Sequence, residues 1–265
     1  MEEQVRLIKI KQVAGFLYQN EKKADTVVIY AKGGPGLGDK GQNEGWPVAR
    51  RFGYDLLIPD YIGFCRSDGE FSFRSCIETF YECEDFANGK LQATDAETGI
   101  TFSVKYKNII LIGSSWGGSM VPFLEKYRKS GINTIGMIKP VTDWTSQGRT
   151  KDPEEDTVMT NKQVDLVWTH LYRGYHNSEW PEIFTNKHLP EFNPVDQTAM
   201  LAGKQVLVVH GTEDDVVNYK KTVKYYGELK KHKVSSKLKL YKGDHSSAIT
   251  VKGFRFILNE YSKTK

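Results

Sequence analysis

The stretch Asn108-Ile109-Ile110-Leu111-Ile112-Gly113-Ser114-Ser115-Trp116-Gly117-Gly118 decides how this chain is read. Ile109 to Ile112 form a short apolar run of the kind that lies buried in a sheet. From Met120 to Arg128 apolar positions recur at helical spacing, so strand passes to helix with almost no room to turn. A side chain carried on so sharp a turn needs neighbours without a Cβ, which would collide with the backbone. Gly113 and Gly117 flank Ser115 on both sides in this way, the G-x-S-x-G spacing of a nucleophile elbow. Ser114 and Ser119 are not framed like this, which singles out Ser115.

Working outward, the chain of 265 residues is long enough for one large α/β domain. With 39% hydrophobic and 26% charged residues it is neither disordered nor membrane-spanning in composition. The N-terminal Met1-Glu2-Glu3-Gln4 lacks the layout of a secretory signal. Cys65, Cys76 and Cys83 are sparse and without metal-ligand spacing, so free thiols in the cytoplasm are expected. Cys76 and Cys83 share a helical face and read as core thiols. The net charge of +4 owes much to Lys220 to Lys242, which reads as a solvated helix face. It has neither the aromatic interleaving nor the module of a nucleic-acid binder.

In order, Val5 to Ile10 and Gly15 to Gln19 predict a hairpin, and Thr26 to Ala31 a buried strand running into Lys32-Gly33-Gly34-Pro35-Gly36. A short helix over 46–52 and a strand over 54–59 follow, then a loop of turn formers from Asp60 to Gly69. Residues 75–88 read as helix and 91–105 as a hairpin turning at Asp95 to Gly99. Past the elbow come a strand over 134–139, another over 205–210, a helix over 218–230, a strand over 237–241 and a helix over 248–261. Strands separated by helices imply βαβ units and a parallel sheet. The rhythm breaks over 141–203, which holds Trp144, Trp168, Tyr172, Tyr175, Trp180 and the acidic run Asp152, Glu154, Glu155 and Asp156. We expect a core of residues 1–140 and 204–265 with 141–203 inserted as a cap.

A serine hydroxyl needs a base, and the base an orienting acid. In parallel sheets such groups collect on loops at strand ends. The strand ending at His210 is followed by Gly211-Thr212-Glu213-Asp214-Asp215-Val216-Val217, and that ending at Tyr241 by Lys242-Gly243-Asp244-His245-Ser246. Ser, then Asp, then His is the order of the α/β-hydrolase triad.

On these residues the chain resembles the α/β-hydrolases over nearly its whole length. His210 to Val217 resembles the family's H-G-x-x-D-x-x-V loop, which implies Asp214 as triad acid, with Glu213, Asp215 and Asp143 as alternatives. Gly243-Asp244-His245 resembles the loop bearing the family's histidine, and Asp60 to Gly69 its D-x-x-G-x-x-x-S-x-G segment. His232, His170, His176 and His188 lie elsewhere and His210 precedes the acid, so His245 is the base. The oxyanion needs two donors: the N–H of Trp116 and, after Ala31, that of Gly34, with Gly33 as alternative. The glycine loop and elbow also resemble the prolyl iminopeptidases, although Lys32 stands where that family has histidine.

The resemblance implies an α/β-hydrolase fold, a mostly parallel sheet flanked by helices with a short cap insertion. It implies a serine hydrolase acting on a small carboxylic ester through an acyl-serine. An aminopeptidase, a thioesterase or acyltransferase, and a binding protein are the rivals. No metal or organic cofactor is expected. The expected partner is a small acyl substrate, without nucleic acid or membrane.

Overall fold

A computed structural model describes residues 4–34, 36, 38–145, 161–184 and 189–264. The acidic run from Asp152 to Asp156, together with Pro35 and His188, lies outside the described residues. The chain opens with an antiparallel hairpin, β1 (Gln4–Ile10) and β2 (Val13–Gln19). Then come β3 (Thr26–Ala31), α1 (Trp46–Arg51), β4 (Asp55–Pro59), α2 (Phe73–Ala87), and two short strands, β5 (Ala93–Asp95) and β6 (Thr101–Phe102). The elbow strand β7 (Asn108–Ser114) leads to α3 (Trp116–Met120) and β8 (Thr134–Ile138). After α4 (Asn161–Leu171) and α5 (Trp180–Phe184) follow β9 (Gln205–Gly211), α6 (Tyr219–Lys231), β10 (Ser235–Tyr241) and α7 (Ser247–Ser262).

The strands form one sheet in the order β10-β9-β8-β7-β3-β4-β2-β1-β5-β6. From β10 to β4 every neighbouring pair is parallel, and from β4 outward the pairs are antiparallel. The inner parallel strands β3, β4, β7, β8 and β9 are apolar on both faces because helices cover both, whereas the edge strand β10 alternates with exposed lysines. Val27, Ile29, Leu111, Met137 and Val208 pack with Phe80 of α2 and Tyr225 of α6. Their alternates Val28, Tyr30, Ile110, Ile112 and Val209 pack with Trp46 of α1 and Phe254 of α7. After β3 the chain moves out to β4 and later returns on the other side of β3 as β7, which makes a switch point where loops diverge. Ala31 pairs with Gly113 there, bringing the glycine loop alongside the elbow.

Several expected elements differ in extent: β2 and β10 each start two residues early, the hairpin over 91–105 is reduced to β5 and β6, and two helices differ for a visible reason. Helix α2 starts at Phe73 rather than Ser75 because Ser72 caps it. Its hydroxyl accepts from the Ser75 N–H at 3.0 Å, and the Ser72 N–H donates to the Ser75 hydroxyl at 2.7 Å. The elbow helix is shorter than the periodicity from Met120 to Arg128 suggests. α3 ends at Met120, and Val121–Glu125 continue as a 3-10 helix. Pro122 lacks the N–H that a continuing α-helix would use. Cys76 and Cys83 are buried free thiols on α2, and Cys65 is an exposed one.

Between β8 and β9, Trp144, Trp168, Tyr172, Tyr175 and Trp180 pack inward. Trp168, Tyr175 and Trp180 are fully buried and Tyr172 nearly so. Tyr172 stacks on Phe64 at 4.5 Å. The Arg173 guanidinium donates to the carbonyls of Cys65 and Gly69 at 3.3 Å each, and also to that of Ser67. This seats the segment on the loop after β4. That loop is itself tied down, with Arg66 forked on Asp60 at 2.6 and 3.0 Å. The Ser67 hydroxyl donates to the Asp60 carbonyl at 2.7 Å and accepts from the Ala14 N–H at 2.8 Å. No helix among the described residues is long and apolar enough to cross a membrane.

Candidate active site

Ser115 occupies the turn between β7 and α3 with φ +53° and ψ −124°. A non-glycine residue held there is strained, a state that persists only where the surroundings enforce it. They do so by close packing of backbone on backbone. A Cβ on Gly113 would stand 2.3 Å from the Gly117 carbonyl oxygen. One on Gly117 would meet the carbonyl oxygens of Ala31 at 2.3 Å and Lys32 at 2.4 Å. The Ser115 N–H is anchored on the Ile138 carbonyl at 2.9 Å.

The loop after β10 brings His245 over this serine, with Nε2 2.9 Å from Ser115 Oγ. Its Nδ1 lies 2.6 Å from Oδ2 of Asp214, on the loop after β9. A carboxylate can only accept, so Nδ1 carries the proton and Nε2 is left to accept from the serine hydroxyl. The other oxygen of Asp214 accepts the N–H groups of Val216 at 3.0 Å and Val217 at 2.8 Å. Burial alone would raise the Asp214 pKa. Hydrogen bonds from His210 and His245 outweigh it and hold the carboxyl well below the usual carboxylate range.

The alternative acids are engaged elsewhere. Asp143 accepts from the Thr145 N–H at 3.0 Å and the Thr145 hydroxyl at 2.6 Å, and lies 3.4 Å from the Asn193 amide. Burial works to raise its pKa, but these bonds and Lys224 bring it below the usual value. Glu213 lies 3.6 Å from Lys242, and Asp215 is exposed.

Two residues escaped sequence reasoning. His210 is fully buried, with Nε2 3.1 Å from the same Oδ2 of Asp214 and 2.9 Å from the Val217 carbonyl. Its Nδ1 lies 2.7 Å from the Thr222 hydroxyl. Lys139, at φ +42°, is buried just past β8 and donates to the carbonyls of His245 and Ser246 at 2.8 Å each. Burial pushes its pKa down against the pull of Asp214, Glu44 and Asp244. The available signals were a histidine closing an apolar strand and a lysine closing another.

The glycine loop faces the elbow. A Cβ on Gly33 would stand 2.9 Å from Ser115 Cβ and 3.5 Å from its Oγ. One on Gly34 would instead meet the Tyr172 hydroxyl at 3.0 Å and the Trp168 ring at 3.2 Å. The Tyr61 hydroxyl donates to the Lys32 carbonyl at 3.1 Å, holding the loop. The ring of Trp116 is wedged among Tyr61 at 4.6 Å, Trp168 at 5.0 Å, Trp180 at 5.3 Å and Phe71 at 5.8 Å.

A family model described as alpha/beta hydrolase fold matches residues 81–248. Among solved structures, Est1E from Butyrivibrio proteoclasticus is similar, at 16% identity and TM-score 0.60, the match covering 97% of this chain and 98% of that one. Carboxyl esterase 2 from the mycorrhizal fungus Tuber melanosporum is 16% identical with TM-score 0.68, over 97% of this chain and 88% of that one. The acylaminoacyl peptidase of Pyrococcus horikoshii is 14% identical with TM-score 0.63, over 98% of this chain. This chain spans only 41% of that peptidase's length. No curated protein sequence matches it. With the family match covering well over half of the residues, the chain belongs to the alpha/beta hydrolase fold family.

Proposed function

We propose that this hydrolase is a serine hydrolase that cleaves small carboxylic esters. The observation that carries the reading is the unbroken series Ser115 Oγ, His245 Nε2, His245 Nδ1, Asp214 Oδ2, at 2.9 and 2.6 Å, on a strained elbow. Ser115 Oγ attacks the acyl carbon while His245 Nε2 takes its proton, and Asp214 stabilises the imidazolium. The N–H of Trp116 and that of Gly34, or of Gly33 beside it, hold the oxyanion. His245 then returns the proton to the leaving alkoxide, and water, deprotonated by the same nitrogen, releases the acid. In this reading 141–203 is a cap on a core of 1–140 and 204–265. The Tyr172 hydroxyl and the Trp168 ring beside Gly34 limit the acyl group to a modest length.

The test joins labelling to turnover. A fluorophosphonate is expected to label the wild type and Ser114→Ala but not Ser115→Ala. p-Nitrophenyl acetate and butyrate are expected to exceed the palmitate ester and proline p-nitroanilide in kcat/KM. Undiminished labelling of Ser115→Ala sinks the mechanism, and preference for the proline amide moves the substrate class to N-terminal peptides.

A further inference from the structure

We infer that His210 is a positioning residue for this site, a second imidazole that donates to the same oxygen of Asp214 used by His245. The inference rests on the serine-hydrolase reading above and adds to it a residue which that mechanism does not use.

The tautomer follows from the partners. Nε2 of His210 lies within hydrogen-bond distance of the Val217 carbonyl at 2.9 Å and Asp214 Oδ2 at 3.1 Å. Neither oxygen carries a proton when Asp214 is ionised, so Nε2 must. Nδ1 then accepts from the Thr222 hydroxyl at 2.7 Å, and the ring is neutral. A second full charge on a ring with no exposure would be costly. The sheet and α6 therefore fix a neutral N–H donor on the inner side of the carboxylate.

Its chemical effect is on Oδ2. A second donor draws charge from the oxygen that His245 uses, so the carboxylate holds the His245 imidazolium less tightly and the proton leaves it more readily. The other groups around the site stay in place. They are Ser115 at the elbow, Lys139 past β8 bonding the His245 carbonyl, Thr222 of α6, Asp244 beside the histidine, and Glu213 and Asp215 flanking Asp214. A residue that merely filled space would alter stability or kcat but leave the acid limb of the pH profile where it was.

The experiment compares wild type, His210→Phe, which keeps a ring without a donor, and His210→Gln, whose amide restores one. With p-nitrophenyl butyrate, His210→Phe is expected to move the acid limb of kcat/KM up by about 0.5–1 pH unit and lower kcat roughly five- to tenfold. His210→Gln is expected to bring the limb back toward the wild-type position. Without substrate, the low-field proton on His245 Nδ1 is expected to titrate at correspondingly higher pH in His210→Phe. An unmoved limb and an unmoved titration overturn the inference, whatever happens to kcat. If His210→Phe does not fold, histidine nitrogen NMR of the wild type decides. The Nε2–H tautomer of His210 upholds the inference, and the Nδ1–H tautomer overturns it. Failure of Ser115 to take the fluorophosphonate would sink the hydrolase mechanism separately, leaving both NMR readouts interpretable.

Discussion

The ammonium of Lys139 donates to the main-chain carbonyl of His245 at 2.8 Å, so a buried cation at the end of β8 carries the loop on which the histidine rides. The same ammonium holds the Ser246 carbonyl at 2.8 Å. Lys139→Met removes both donors and strands two carbonyls. We expect a roughly tenfold loss in kcat with little change in KM, and a lower Tm. Steady-state kinetics and a thermal melt check it, and a wild-type kcat would free the loop from this anchor.

The acids rank by their bonds. Asp214 alone of the acidic candidates meets His245 Nδ1, at 2.6 Å, while Asp143 is bonded to Thr145 and Asp215 is exposed. Asp214→Asn is expected to lower kcat on the order of 10³ or more, because the amide favours the wrong tautomer. Asp215→Asn and Asp143→Asn are expected to stay within about tenfold. Any other order of kcat values moves the acid.

Asp214 also ties stability to pH. Its carboxyl is held below the usual range in the folded chain, so it binds protons less readily there than in the unfolded chain. Its contribution is therefore whole above about pH 4, the unfolded carboxylate pKa, and fades as pH falls toward the lower folded value. Urea denaturation should find Asp214→Asn less stable than wild type by roughly 2 kcal/mol at pH 7. The gap should narrow at pH 3, and a gap that widens there would reverse the sign.

The two glycines of the loop differ in what a methyl group would meet. At Gly33 it would crowd Ser115 Cβ at 2.9 Å and the Ser114 carbonyl at 3.2 Å, so the serine or the loop must shift. At Gly34 it would press on the Tyr172 hydroxyl and the rim of the Trp168 ring. Gly33→Ala is expected to cost on the order of 10² in kcat, in line with a displaced nucleophile or oxyanion donor. Gly34→Ala should cost less and act mainly on KM. Equal losses in kcat would place both glycines against the reacting atoms.

Much of this was legible in the sequence for local reasons. Gly113 and Gly117 are required by contacts within a few ångströms, and the apolar runs from Thr26 to Ala31 and Gln205 to His210 are strands buried on both faces. His245 and Asp214 sit on the loops where the order of strands places them. What stayed hidden depends on tertiary partners. The role of His210 needs Thr222 on one side and Asp214 on the other. The early end of the elbow helix turns on Pro122, which apolar periodicity does not register. Trp168 and Tyr172 are buried, and the sequence did not say that they rest on Trp116.

That last contact joins two properties usually varied apart. In the proposed mechanism the backbone of Trp116 serves the oxyanion, while its ring is gripped by residues from 141–203. Trp168 and Trp180 come from the segment between β8 and β9, and they set the seat of that ring. A substitution that reshapes the roof for a new acyl group therefore also nudges the donor beneath it. In the proposed mechanism substrate range and rate are mechanically linked through a single indole, so efforts to broaden the first will be felt in the second.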